Sequence, residues 1–323
     1  MLFIETNSFD PHFNLAAEEY FVKNKSEEIF MLWRNGRSVI VGRNQNAMSE
    51  VSYDFVTDRN IPVVRRMSGG GAVFHDLENI NYTYIVNCTE NSPGFGNYEF
   101  FTGLLCSFLK KKGIDAYLSG RNDVLVDGRK ISGNAQYKWK KRLMHHGTIL
   151  VGADISELSG ALTPDESKFL SKGIKSVKSR VANINEFLDI DAEKFFMEFK
   201  AEVLKNCEEY LITDEDIMAI CHLCDEKYKT YEWNWGYSPK YNFSKKMHFA
   251  GGTVEVCFEI SDAIIKTAKI YGDFFSAEGV EVIEEALKGI RHSIEDIEKA
   301  ISKIWKEDIM GSISKEELIS LMF

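Results

Sequence analysis

The stretch RRMSGGGAVFHD, from Arg65 to Asp76, holds the densest set of residues able to do chemistry. Three successive glycines, Gly69 to Gly71, let a ligand lie directly on the main chain, where exposed N–H groups cradle an anion. Arg66 adds a planar cation suited to phosphate or carboxylate. The run is not a Walker A loop, because it lacks a subsequent Gly-Lys-Ser/Thr. Nor is it a dinucleotide fingerprint, because the third spaced glycine would fall at Phe74. The next residues, Ala72 to Phe74, are strand-like, so the loop joins two strands. Read without a ligand, the same residues make a glycine-rich turn with solvated arginines.

A second set lies in GRNDVLVDGRKISGNAQ. Lys130 comes directly after the Asp127-Gly128-Arg129 turn, and strand alternation puts Lys130, Ser132 and Asn134 on one face with Ile131 on the other. Most lysines are solvated, but the small neighbours Ser132 to Ala135 leave room for a ligand. A third set, His145-His146-Gly147-Thr148, enters a strand with His146 and Thr148 on one face, opposite Ile149. The paired histidines have no further ligand at zinc-like spacing. Cys221 and Cys224 form a lone CxxC on the apolar stripe of a helix and read as core thiols. Between Lys168 and Arg180 five basic residues stand among small ones, either a solvated face or a loop able to close over an anionic ligand.

The elements that must position these residues are mixed. A strand at Met1 to Glu5 is succeeded by a helix expected to open with Asn14 as N-cap. FMLWR and SVIVGR flank Asn35-Gly36, and VLVDG and RKIS meet at Asp127-Gly128, both read as hairpins. IPVVRR and AVFHD flank the glycines, NINYTYIVN alternates as a half-buried strand, and TILVGAD is a further strand. Helices are expected at Asn97–Lys112, at Asp191–Asn206 and at Thr213–Tyr228, the last burying Ile217, Ile220, Cys221, Cys224 and Tyr228. A seam near Ser238 to Ser244 separates residues 1–240 from a C-terminal unit, 245–323, of paired strands and three short helices. The fold class is therefore α+β.

Composition narrows the function. At 323 residues, 44% apolar and 27% charged, the chain can bury a real core. With 39 basic against 49 acidic residues and a net charge of -10, it is no general nucleic-acid binder, so any anion is bound locally. No apolar run is long enough for a membrane helix and no signal-peptide pattern opens the chain, which places it, as an expectation, in the cytoplasm without a membrane partner. Six cysteines without a framework spacing read as reduced thiols.

Taken in order, NLAAEEY, LWRNGRSVIVGRNQNA, RRMSGGGAVFHDLENINYTY, GRNDVLVDGRKISGNAQ, HHGTILVGAD, KGIKSVKSRVANI and YEWNWG resemble the lipoate-protein ligase A family of bacterial type over nearly the whole chain. One departure is Glu78-Asn79, where that family more often has Gly-Asn. The resemblance implies a biotin/lipoate ligase catalytic domain with a mixed β-sheet, then a small α+β accessory domain. It also implies that lipoate and MgATP give lipoyl-AMP and pyrophosphate, after which the acyl group passes to a lysine of an apo lipoyl domain. That acceptor would be a 2-oxoacid dehydrogenase E2 subunit or the glycine-cleavage H protein; octanoate would be a rival acid.

Carried over residue by residue, the resemblance puts the adenylate on Arg66, Gly71, Ala72, Val73 and Phe74, with Lys130 touching nucleotide and lipoate as the catalytic residue. Trp33, Arg66, Ser68, Gly69, Gly70, His75, His146 and Thr148 would shape the acyl and adenylate pocket, and Asn122 and Asp123 would lie by the phosphate, with Asp123 a Mg²⁺ ligand. All these positions precede Asn183, so the C-terminal unit is not expected to supply a group to the site. The alternatives are a transferase with a cysteine thioester and a non-catalytic lipoate-binding protein. The first is disfavoured because no cysteine lies between Lys130 and Cys207, the second because Lys130, Arg66 and the glycine loop are all present.

Overall fold

The computed structural model describes residues 1–45, 47–89, 92–154, 157, 160–161, 180–235, 243–261, 263–277 and 279–323. The basic stretch 168–180, apart from Arg180, and most of the seam at 238–244 lie outside the described residues. The chain opens with β1 (Leu2–Glu5) and α1 (Pro11–Asn24), then β2 (Ile29–Arg34), β3 (Ser38–Val41), β4 (Val63–Arg65), β5 (Val73–His75) and β6 (Asn79–Asn87). Next come α2 (Tyr98–Lys111), β7 (Tyr117–Ser119), β8 (Asp123–Val126), β9 (Arg129–Trp139) and β10 (Arg142–Leu150). After them stand α3 (Ala192–Val203), β11 (Glu208–Glu209) and α4 (Asp214–Leu223).

Eight strands form one mixed sheet in the order β11-β1-β2-β6-β10-β9-β8-β7, and β3 lies between β4 and β5 in a second, small sheet. The fold is α+β, as expected. Along β6 the alternation is real, but both faces are covered. Tyr82 and Tyr84 pack with α2 and α3 on one side. Ile85 faces α1 and the small sheet on the other. The strand is therefore buried throughout most of its length, not half-buried.

Three further expectations need correction. Helix α1 begins one turn earlier than Asn14: Pro11 cannot donate and suits the first helical position, while the Asp10 carboxylate accepts the His12 N–H. Asn14 instead lies buried inside the helix, its amide donating to the Ser8 and Arg34 carbonyls and accepting from Thr6. Asn35-Gly36 is not a hairpin, because β2 pairs with β1 and β6 while β3 pairs with β4 and β5. The Asn35 amide is drawn inward between Asn14 and His75, and the chain passes from one sheet to the other. Asp127-Gly128 does turn a hairpin, both residues having positive φ (49° and 74°). In α4 only Ile220 is buried of the three stripe residues it contains; Ile217 and Cys221 are exposed. The helix widens after Leu223 into a π-turn, Cys224–Tyr228, which rotates Cys224 and Tyr228 into the core.

The C-terminal part holds β12 (Phe243–Phe249), β13 (Gly252–Ser261) and β14 (Ile264–Gly272) in an antiparallel sheet, then α5 (Glu281–Leu287), α6 (Ile294–Ile304) and α7 (Lys315–Ser320). Val254, Phe258, Ile283, Ile297, Ile301 and Leu318 form a core of its own. It is pinned to the rest by Arg43–Glu281 at 2.9 Å, by the Lys138 N–H to the Ala277 carbonyl and by the Gly70 N–H to the Phe274 carbonyl.

Replacing buried Asn14 by Leu strands two half-buried carbonyls and should lower unfolding free energy by about 2–4 kcal/mol. Met218→Ala, on the exposed side of α4, should change it by less than about 0.5 kcal/mol. Urea titrations of both variants check the contrast, and equal effects would contradict it.

Candidate active site

A cleft of about 650 Å³, counting its open mouth, lies between the large sheet and the small one. Its floor is one rung of the large sheet. Trp33 pairs with Asn81, Asn81 with Thr148, the Thr148 hydroxyl accepts from the Gly133 N–H (3.1 Å), and Gly133 pairs with Asp123. With neighbouring strands about 4.8 Å apart, this rung spans roughly 19 Å, room for an extended ligand. The small sheet and its glycine loop form the opposite wall through Ile40, Arg66, Gly70 to Val73, and His75.

Lys130 reaches this floor because β9 bulges. The pairing shifts between Val124 and Leu125, leaving Ile131 as the extra residue. Simple alternation would have set Lys130 beside Ser132; the bulge turns it to the face of Gly133 instead. A Cβ on Gly133 would meet the Lys130 Nζ at 2.7 Å, so the amine lies directly over Gly133, and a side chain there would push the lysine from its place. Its partner is Asp123, at 2.8 Å. The Lys130 backbone carbonyl accepts from Ala182 N–H (2.9 Å), which anchors the chain as it returns after residue 180.

Arg66 is buried and solvated by peptide groups. Nη1 donates to the Ile40 carbonyl (3.1 Å), Nη2 to those of Gly69 and Gly71 (2.8 Å each), and Nε to the Ser68 hydroxyl (3.0 Å). Burial brings its pKa down to about 10, so it remains a cation. Gly70 has φ +95°, a conformation that lets its neighbours' carbonyls turn toward the guanidinium. Ser68 also meets His146 Nε2 at 2.6 Å, and His146 Nδ1 meets the buried Glu18 carboxylate at 2.9 Å. Glu18 accepts from Thr83, whose hydroxyl in turn takes the Trp33 indole N–H. His145, on the other face, stacks on Phe101, and burial holds its pKa well below the ordinary value.

Of the residues singled out in the sequence, Trp33, Arg66, Gly70, Gly71, Ala72, Val73, His75, Asn122, Lys130, His146 and Thr148 line the cleft. Four do not. Ser68 sits behind Arg66, Gly69 packs on the Phe274 carbonyl, Phe74 points into the core of the small sheet, and Asp123 stands beside the cleft paired with Lys130. Leu15, Asn81 and Phe275 line it unannounced. Phe275 corrects the expectation that the C-terminal unit supplies nothing. It walls the cleft, with the Arg121 guanidinium 4.3 Å over its ring and donating to the Gly251 carbonyl. No periodicity connects residue 275 to strands near residue 130, whereas the amide of Asn81, in line with Thr83 on one face of the strand NINYTYIVN, was a signal that could have been read.

Comparison with known proteins decides the family. Residues 10–205 match the lipoyl protein ligase A/B catalytic domain, and residues 238–322 the bacterial lipoate protein ligase C-terminus. Lipoate–protein ligase 1 of Staphylococcus aureus is 44% identical over the whole length of both chains. The chain belongs to the lipoate-protein ligase family. Among solved structures, P. falciparum LipL1 in complex with lipoate is similar to this ligase with a TM-score of 0.79 at 29% identity, covering 94% of each chain. A lipoate-protein ligase A bound with ATP gives 0.61 at 27% identity over 73% of this chain and 97% of its own.

Two buried histidines of this ligase make stability depend on pH. Unfolded, each takes up a proton near 6.5; folded, His75 does so only at about 3, because of burial and the nearby Arg66 and His146. The native state therefore binds fewer protons in that interval, and stability rises with pH across it. Urea midpoints should fall on acidification from about pH 7 to about pH 4.5. His145→Gln, which cannot titrate, should flatten the slope by about 1.4 kcal/mol per pH unit. An unchanged slope would show that native His145 takes up a proton in this range.

Proposed function

We propose that the cleft carries out both half-reactions of an ATP-dependent lipoate-protein ligase, with Lys130 serving each. The observation that carries this reading is the Lys130 amine over Gly133, facing the glycine loop across a cleft that also holds Trp33. In the first step a lipoate carboxylate oxygen bonds to the α-phosphorus of ATP while the bond to the bridging oxygen breaks and pyrophosphate leaves. Two anions must meet, and Lys130 and the buried Arg66 supply positive potential where they do. The loop Gly70 to Val73 offers its main chain to the adenylate, and Trp33 walls the acyl end.

In the second step an acceptor lysine amine bonds to the acyl carbon, the bond to the AMP oxygen breaks, and the amine proton is released to solvent. Negative charge grows on the carbonyl oxygen and on the departing phosphate, within reach of the same lysine. The acceptors proposed are apo lipoyl domains of E2 subunits or the glycine-cleavage H protein. Mg²⁺ fits at Asp123, since this ion is commonly held by one or two carboxylates together with substrate phosphates, and it would offset phosphate charge. Among the described residues no cluster of three or more His, Cys, Asp or Glu could hold a metal.

A cysteine transferase is the weaker reading. No described cysteine lines the cleft, and burial raises the thiol pKa values of Cys88, Cys106 and Cys207, with Cys224 pushed to about 12 and Cys257 to about 11. Among the described residues no helix is long and apolar enough to cross a membrane. Pyrophosphate release from lipoate and ATP tests adenylation, and mass measurement of apo acceptors tests transfer. Lys130→Ala should lose each by about 10² or more if one preorganised donor is worth roughly 3 kcal/mol. Normal transfer from supplied lipoyl-adenylate would confine the lysine to the first step.

A further inference from the structure

The segments around Lys130 and His146 hold three buried polar side chains to which the two steps give no role: Asn134, Gln136 and His145. They meet behind the cleft floor, on the side covered by α2. There the His145 ring stacks on Phe101, 4.7 Å between centres, with Tyr98 edge-on at 5.7 Å. A polar chain through an apolar core persists when every member is satisfied, and it then fixes its neighbours rigidly.

The direction of each hydrogen bond follows from the two ends of the chain. In the loop before α2 the Gly96 N–H, a donor only, meets Gln136 Oε1 at 2.7 Å, so the Gln136 nitrogen faces His145 Nδ1 at 3.2 Å. Nδ1 accepts, so Nε2 carries the hydrogen and donates to Asn134 Oδ1 at 3.2 Å. At the other end the Asn122 carbonyl, an acceptor only, lies 3.0 Å from Asn134 Nδ2 and demands the same orientation of that amide independently. Burial holds the His145 pKa well below the ordinary value, so the ring stays neutral in this tautomer. The Tyr82 hydroxyl also donates to Asn134 Oδ1, at 2.5 Å. A Cβ on Gly147 would collide with that oxygen and with the Tyr82 ring, which accounts for the glycine after His146.

Asn122 is where this relay meets the cleft. Its carbonyl takes both the Asn134 main-chain N–H and Nδ2, each at 3.0 Å, and its own amide returns to the Asn134 carbonyl at 2.7 Å. The next residue is Asp123, whose carboxylate holds the Lys130 amine at 2.8 Å. Asp123 opens β8, a strand of four residues with only the three-residue β7 outside it, so the sheet alone gives little rigidity at this edge. We propose that Asn134 is a positioning residue for the first half-reaction. Backed by His145 and Gln136, it clamps Asn122 so that Asp123, and through it the Lys130 amine, stand in place before ATP arrives. This rests on the functional reading above. Order supplied in advance from the core keeps reorganisation out of the barrier. The bond changes are those of the two steps already written, and no member of the relay gives up its hydrogen.

A double-mutant cycle separates positioning from packing. Asn134→Leu keeps the side-chain volume and removes its donor and acceptor. It should slow pyrophosphate release from lipoate and ATP by about 10-fold or more and raise the KM for ATP. The KM for lipoate, whose acyl end is walled by Trp33, should stay within about twofold. In an Asp123→Ala background the same substitution should cost less than about threefold, because the group it positions is gone. The cycle is read on ATP affinity as well as on rate, so a slow Asp123→Ala protein still reports. Gln136→Met breaks only the remote link and should show the same pattern with a smaller loss; it carries the cycle if Asn134→Leu lacks a cooperative unfolding transition. Nitrogen NMR of labelled histidine in the wild type should find His145 protonated at Nε2 and unprotonated at Nδ1. Equal losses in both backgrounds, an unchanged rate in the variants, or a His145 protonated at Nδ1 would each overturn the inference and leave the functional reading standing. Failure of the wild-type protein to form lipoyl-adenylate would instead overturn that reading, and the inference with it.

Discussion

Two guanidinium groups adjacent in sequence and both buried set the terms for the rest of this structure. Arg65 and Arg66 are each brought down to a pKa of about 10 by desolvation, yet remain charged, so each must be surrounded by oxygen atoms. Arg65 is caged by the carbonyls of Gly42, Arg43, Gln45, Trp233 and Asn234. Arg66 takes those of Ile40, Gly69 and Gly71. The two cages draw the loop after β3, the glycine loop and residues Trp233 and Asn234 around one point. That gathering is what gives the small sheet, only three short strands wide, enough rigidity to serve as a cleft wall.

The large sheet supplies the other wall with a different logic. Its central strands are buried on both faces, so register is strongly specified, and a rung of side chains becomes a fixed row of positions. Trp33, Asn81, Thr148 and Gly133 occupy successive strands on that row. The single irregularity, the bulge at Ile131, falls where the reactive amine must leave the alternation of its strand. Precision in one direction and one deliberate exception together place a lysine over a glycine.

Much of this was legible in the sequence, and the failures have physical causes. The RRMSGGGAVFH and GRK segments announced themselves because glycine clusters and turn dipeptides act locally. Asp127-Gly128 and Asn35-Gly36 look alike on paper, yet only the first closes a hairpin, since a buried amide network claims Asn35 and diverts the chain. Asn14 has the composition of a cap and the position of a core residue for the same reason. The face of Lys130 depended on a bulge that alternation cannot show. Phe275 depended on the docking of a separate core, a contact 145 residues from Lys130 in sequence that no local pattern encodes.

The cage around Arg65 also bears on synthesis. Its last two oxygens belong to Trp233 and Asn234, and among the described residues buried Glu19 in α1 is met by Lys23, Lys227 and Tyr228. A nascent chain that has emerged through β10 has every strand of the cleft but lacks these late partners. Until the segment near residue 234 leaves the ribosome, a guanidinium and a carboxylate destined for the interior must stay hydrated. The order of translation thus delays closure of the cleft walls until most of the polypeptide is available.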